Sequence, residues 1–258
     1  MINDIKELFL HRELLKNLTT KDLKLRYKSS VLGFIWSFLN PILQLTVYSI
    51  VFTYVFRNES IENFAVFLAA GLLPWIFFNS SVMTAVSSIT GNSNLINKVY
   101  FPREIIPISS ILFNFINFII SLSVLFIFLI IFKYISIYLL WLPFLLLLLI
   151  LFTTGLSLIL SSLNVKYRDI QHLIEVIFLP WQFLTPIVYP RASVPAILNN
   201  ILLINPMTSI IECIRNVTYG CKNPSFRELI LFTIISILIF FIGYRVFKSR
   251  EKAFAEEV

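Results

Sequence analysis

Two uncharged stretches carry the residue types most able to handle a polar substrate inside an apolar setting. Trp36, Gln44 and Tyr48 fall in one, with Asn40 and Pro41 between them, and Trp181, Gln182 and Tyr189 fall in the other, with Pro186. Amides in hydrocarbon need hydrogen-bond partners. Aromatic rings beside amides suit a sugar chain, because a sugar ring offers a C–H face for stacking and a rim of hydroxyls for hydrogen bonding. Contacts of this kind hold a chain loosely while it slides. These six residues are candidate linings of a substrate path. The alternative for each ring is contact with lipid or a place in an interfacial belt.

Other chemistry is poorly supplied. No GxxxxGK[ST] phosphate cradle occurs, and the six glycines are isolated from one another. ATP and Mg are therefore not expected on this chain, and no cofactor of its own is expected. His11 and His172 lie on separate loops without metal-ligand neighbours. Cys213 and Cys221 make no metal site, and whether they pair is open. The first four apolar stretches have no charge near their centres. Glu175, near one end of the fifth, has Arg168 or Lys166 as expected partners. That pattern argues against an ion-coupled carrier and against a carboxylate-pair enzyme. No catalytic residue and no metal site is expected.

The elements that position these residues follow from composition. Of 258 residues, 58% are hydrophobic, 14% are charged and 26 are Phe. A soluble domain averages about 45–50% apolar and about 25% charged, so this chain reads as an all-α polytopic membrane protein. The net charge of +7 reflects topology and anionic lipid rather than nucleic acid. Uncharged stretches at 29–56, 63–97, 105–132 and 134–165 each hold a span, with further spans at 170–189 and 229–247. The third and fourth look lipid-facing, apart from Asn114, Asn117 and Ser121, which share a helical face and are expected to pack helices together. Six spans put both termini on one side. Placing that side inside collects 15 of the 21 basic residues there, as the positive-inside rule requires. Arg215 then counts among the outer cations.

Two segments differ from the spans. The first thirty residues hold seven basic and four acidic side chains, and no cleavable signal is expected. Ile5, Leu8, Phe9, Leu15 and Leu18 recur at helical spacing, which predicts an amphipathic helix on the membrane surface or against another protein part. Thr19 and Asp22 suggest a cap starting a second short helix. Residues 191–228 are apolar but broken by Pro195, Asn205, Pro206, Gly220 and Pro224, which predicts re-entrant helices between spans 5 and 6. The organisation is an interface segment at 1–30, a transmembrane domain at 31–248 and a cytoplasmic tail at 249–258.

Four motifs then stand out. They are Leu23-Lys24-Leu25-Arg26-Tyr27-Lys28-Ser29-Ser30-Val31-Leu32-Gly33-Phe34-Ile35-Trp36 followed by Asn40-Pro41; Asn94-Leu95-Ile96-Asn97-Lys98-Val99-Tyr100-Phe101-Pro102-Arg103-Glu104; Asn164-Val165-Lys166-Tyr167-Arg168-Asp169-Ile170; and Asn205-Pro206-Met207. In this order, with six spans, they resemble the permease subunit of type-2 ABC exporters. The branch is the one that moves polysaccharides and polyol phosphates, including O-antigen, capsule and teichoic acid. The resemblance implies a homodimer in the bacterial cytoplasmic (inner) membrane, with two copies of a separate nucleotide-binding ATPase holding the ATP and Mg. It implies that the N-terminal helix and Asn94, Lys98, Tyr100, Phe101, Arg103 and Glu104 contact that ATPase. The alternative for this stretch is a polar connector. Locally, Ser93 or Asn94 can cap a short helix, Tyr100 and Phe101 can anchor in a partner pocket, and Glu104 suits the start of the next helix. The resemblance also implies a lipid-linked polysaccharide as substrate. Arg26, Tyr27 and Lys28, at the inner headgroup level, would meet its pyrophosphate or act as a generic positive-inside anchor. Rival expectations are a same-fold exporter of teichoic acid, drugs or lipids, and a membrane glycosyl- or acyltransferase. The transferase needs a catalytic acid or histidine facing a cavity, and the sequence offers no convincing one.

Overall fold

The computed structural model describes residues 7, 10–28, 33–55, 61–195, 201–202 and 204–257. Among these residues all regular structure is helical. Helix α1 (Arg12–Tyr27) is continuous. The Thr19 hydroxyl donates to the Leu15 carbonyl at 2.8 Å, so Thr19 closes on the preceding turn instead of capping a second helix. The apolar side of α1 is also used differently from a free surface helix. Leu14, Leu15 and Leu18 pack into a cluster formed by the chain itself.

Helix α2 (Trp36–Ile50) contains Pro41 and runs into a π-helical turn at Val51–Val55. Helix α3 (Phe64–Gly91) starts after Asn63, whose φ of 49° breaks the preceding direction. The short α4 (Ser93–Lys98) leads to α5 (Ile105–Ile131). A 3-10 turn at Ile137–Trp141 opens α6 (Leu142–Lys166), with Pro143 in its first turn, where its missing N–H costs nothing. Then follow α7 (Ile170–Phe183), α8 (Pro206–Thr218), α9 (Phe226–Arg250) and, after a 3-10 turn, α10 (Phe254–Glu257).

Four helical runs are long and apolar enough to cross a membrane: Phe64–Gly91, Ile105–Ile131, Ile137–Lys166 and Phe226–Ala253. Each is at least 27 residues, or about 40 Å at 1.5 Å per residue, against a hydrocarbon core of about 30 Å. The other two expected spans are shorter as helices. Helix α2 has 15 residues before its π turn, and α7 has 14, about 21 Å of helix.

Helix α3 is central. It packs against α2, α4, α5, α6, α7 and α8. The fourth expected span, α6, is not the lipid-facing helix its composition suggests. It lies between α3 and α9, with Leu145, Leu149, Phe152 and Leu158 buried. Its contact with α9 is backbone to backbone. A Cβ on Gly243 would sit 2.1 Å from the Gly155 carbonyl oxygen, so only glycine admits this approach. A second apolar cluster, at the α1–α4 end, gathers Leu18, Ile96, Phe101, Ile105, Phe247 and Phe254. The C-terminal segment is therefore folded into the domain. The Phe247 and Phe254 rings meet edge to face at 5.2 Å. Cys213 and Cys221 are free thiols.

Candidate transport path and coupling face

Trp36, Asn40 and Gln44 line a cavity of about 150 Å³ with Leu73, Ile76, Phe77 and Ser80 of α3 and Asn114, Asn117 and Ser121 of α5. The amides of α5 do join helices, as their common face predicts. Asn114 Nδ2 donates to Thr84 Oγ1 at 2.7 Å, and Ser37 Oγ donates to Asn117 Oδ1 at 3.1 Å. Trp36, Asn40 and Gln44 themselves are exposed at the mouth. Tyr48 stacks on Phe52 at 6.3 Å.

Trp181 belongs to a different group. Its ring meets Trp75 at 6.2 Å, Phe78 at 5.4 Å and Phe178 at 5.4 Å. Its indole N–H donates to Asn205 Oδ1 at 2.9 Å. Gln182 is half-buried, and the Tyr189 hydroxyl donates to the Phe183 carbonyl at 2.8 Å. Helical spacing explains the separation. Positions 73, 76, 77 and 80 lie on one face of α3, and 75 and 78 lie on the opposite face. Within one copy, the six candidate path residues form two groups with α3 between them.

The Asn205-Pro206 motif has a local cause. Asn205 Oδ1 accepts from the Met207 N–H at 3.0 Å, capping α8, while Pro206 fills the first helical position. The same oxygen takes the Trp181 N–H. Asn205 Nδ2 donates to Thr185 Oγ1 at 2.9 Å. One amide thus ties α8, the end of α7 and the segment after it.

Sequence reasoning used Arg215 only in the charge count and missed its burial. Counted as an outer cation, it is only 4% exposed. Its guanidinium donates to the carbonyls of Pro186 and Ile187, and Nε donates to the Phe67 carbonyl at 3.4 Å. It lies 3.6 Å over the Phe67 ring and 3.4 Å from Glu212. Gly71 makes the room, since a Cβ there would fall 2.7 Å from Nη2. The available signal was an arginine on the apolar face of an amphipathic helix (Ile210, Ile211, Ile214, Val217), with a glycine, Gly71, inside α3.

At the other end, α4 and the following turn expose Asn94, Lys98 and Tyr100, the last completely. Phe101 is 5% exposed and packs in the second cluster. It is thus not available as a partner anchor, because its ring fills the space between Ile96, Ile105 and the C-terminal phenylalanines. Neither Ser93 nor Asn94 caps α4. Asn92 holds the cap position without a side-chain capping bond.

Glu104 is 1% exposed at the start of α5. Lys248 of α9 lies 2.8 Å from its Oε1 and 3.0 Å from Glu251 Oε2. Burial pushes the Glu104 carboxyl up, and the Lys248 hydrogen bond opposes that. The Arg103 amide donates to Glu251 Oε1 at 3.1 Å, and its guanidinium donates to the Glu251 carbonyl.

Among the pyrophosphate candidates, the side chains of Arg26 and Tyr27 lie outside the described residues. Lys28 is exposed, in line with Lys21 and Lys24 along an open groove of α1. Glu175 sits 3.7 Å from His172 Nδ1, with both exposed, rather than beside Arg168 or Lys166. Among the described residues no group of three His, Cys, Asp or Glu side chains could hold a metal ion.

A helical membrane domain with an exposed short helix between its second and third expected spans, and a buried charge cluster behind it, fits one class of transporter subunit. Residues 13–219 match the ABC-2 type transporter family, and the chain belongs to it. The O-antigen export system permease protein RfbA of Myxococcus xanthus is 34% identical over 261 residues, covering all of both chains. A protein of the same name from Klebsiella pneumoniae is 34% identical over 247 residues, with 95% of this chain and 94% of the relative covered. The polysialic acid transport protein KpsM of Escherichia coli is 26% identical over 248 residues, with 90% and 92% covered.

Proposed function

We propose that the chain is the membrane subunit of an ATP-driven exporter that moves a lipid-linked polysaccharide of the O-antigen type across the bacterial inner membrane. The observation that carries this reading is full-length similarity to O-antigen permeases, at 34% identity against 26% for the polysialic acid protein. In this reading the chain crosses six times, with α2 and its π turn as the first crossing. The fifth is α7 with the segment after it. Both termini are cytoplasmic, and ATP is bound and hydrolysed on a separate ATPase.

The path is formed by two copies. A single copy keeps the Trp36–Gln44 group and the Trp181–Tyr189 group on opposite sides of α3. Helices α2 and α7 each leave an apolar face exposed, at Leu43, Val47 and Ile50 and at Leu173, Val176 and Leu179. Pairing two copies over these faces brings both groups toward one lumen. Rings would then stack on sugar faces while Asn40, Gln44 and Gln182 take hydroxyls. Arg26, Tyr27 and Lys28 would receive the pyrophosphate at the inner headgroup level. The ATPase would contact Asn94, Lys98 and Tyr100, while Arg103 and Glu104 lie behind that contact.

The test is a deletion strain complemented with this gene and a gene for its cognate ATPase. Export of surface glycan should require both, and lipid-linked glycan should accumulate inside when either is absent. Unchanged surface glycan in the deletion strain would refute the assignment. So would turnover of a labelled lipid-linked sugar by the purified chain alone.

A further inference from the structure

The segment that exposes α4 and Tyr100 joins α3 to α5 along the chain. The structure also ties it to α9. Glu104 sits at the first residue before α5, with both carboxylate oxygens within 3 Å of Lys248 Nζ. Lys248 also reaches Glu251 at 3.0 Å. Arg103, one residue earlier, grips Glu251 at its carboxylate through the backbone amide and at its carbonyl through the guanidinium. Beneath this ionic layer is an apolar one. Phe101 lies in the same cluster as Phe247 and Phe254, which are fully buried. The α10 helix that carries Phe254 also packs on α4. Helix α9 in turn holds α6 through the Gly155–Gly243 contact.

We propose that Lys248 and Glu251, together with Glu104, are positioning residues for energy coupling. They latch the end of α9 to the segment that receives the ATPase's motion, so that α5 and the α9–α6 pair are driven as one body. The inference rests on the coupling role proposed above. Its physical basis is the burial of Glu104. A carboxylate removed from water holds its one cation tightly, so a displacement of the 101–104 turn cannot leave Lys248 behind. An exposed pair would slip, because water replaces either partner at little cost.

The experiment uses the complete exporter, permease with its cognate ATPase, in cells and in proteoliposomes. ATP hydrolysed and glycan exported are measured together. Lys248→Met should leave the amount of copurifying ATPase unchanged and hydrolysis near the wild-type rate, while export per ATP falls about tenfold. Combining Glu104→Lys with Lys248→Glu keeps one cation between two carboxylates and should restore most of that ratio. Glu251→Gln, which keeps the shape of the side chain and removes only its charge, leaves the Glu104–Lys248 pair in place and should give an intermediate loss. It covers the case in which Lys248→Met fails to accumulate. If Lys248→Met or, failing that, Glu251→Gln exports at the wild-type ratio, the latch transmits nothing. If the swapped pair is no better than either single substitution in correctly assembled complex, the pairing is not the cause. If the wild-type complex shows no ATP-dependent export, the parent reading falls and the latch with it.

Discussion

Arg215→Met removes the guanidinium that joins α8 to α3 and to the segment after α7. The carbonyls of Pro186 and Ile187 are buried and receive its N–H donors. Each carbonyl left without a donor costs about 1–3 kcal/mol. Loss of the stacking on Phe67 adds up to about 2 kcal/mol. Relief from burying a cation, and the packing of the thioether, return part of this. Glu212 loses its partner, but its side chain is 21% exposed and keeps water. The net expectation is a loss of about 3–5 kcal/mol. The assay is reversible denaturant unfolding in mixed micelles, followed by tryptophan fluorescence. A double-mutant cycle with Gly71→Ala makes it decisive. Alone, the new Cβ would meet Nη2 at 2.7 Å, which costs about 1–3 kcal/mol as overpacking. In the Arg215→Met background the clashing atom is gone, because a methionine is shorter than the arginine it replaces, so the alanine should cost almost nothing. If the two substitutions add to within about 0.5 kcal/mol, the contact does not exist as described and the reasoning fails.

Adjacent aromatics on the proposed coupling face should separate two effects. Tyr100→Ala should leave unfolding within about 0.5 kcal/mol of wild type and weaken copurification of the ATPase by about 2 kcal/mol, roughly thirtyfold. Phe101→Ala should destabilise the permease by about 3–5 kcal/mol. Equal behaviour in both assays would contradict their opposite burial. Trp181→Phe keeps an aromatic ring but loses the pyrrole half of the indole and its N–H bond to Asn205, of which the hydrogen bond accounts for about 1 kcal/mol. Asn205→Ala removes the α8 cap and strands the Trp181 and Thr185 groups as well, and should cost about twice that or more. The comparison is made by the same unfolding assay.

What could be read from sequence was whatever a single helix displays. Uncharged length located the four long runs, and the Asn94–Glu104 motif located a short helix between two of them. Asn114, Asn117 and Ser121 were legible as a helix-joining face because their spacing is a property of α5 alone. The misses concern which neighbour a face meets. Tyr100 and Phe101 are both aromatic and adjacent, and only the presence of Phe247 and Phe254, some 150 positions later, decides which one turns inward. Arg215 looked like an outer cation because charge counting assumes that every cation is solvated. Two of the carbonyls that solvate it come from the segment after α7, where backbone leaves helical pairing and needs donors. The composition of α6 says lipid, since Leu and Ile serve equally well against lipid and against α3 and α9.

The central position of α3 links these misses to function. A helix meeting six others keeps almost no face free, so its side chains on opposite faces are held apart as rigidly as any in the domain. Trp75 and Phe78 fix the Trp181 group, and Ile76, Phe77 and Ser80 bound the Trp36–Gln44 group. Rotating α3 enough to merge the groups would pull Phe67 and Gly71 away from Arg215 and expose buried carbonyls. Opening a path by rearrangement within one copy would therefore forfeit the Arg215 contacts, about 3–5 kcal/mol as worked above, before any packing loss is counted. In the two-copy reading proposed above, moving the copies relative to one another, with α3 and its neighbours intact, forfeits none of them. That reading borders the path with the shorter, proline-bearing α2 and α7, whose apolar faces are exposed.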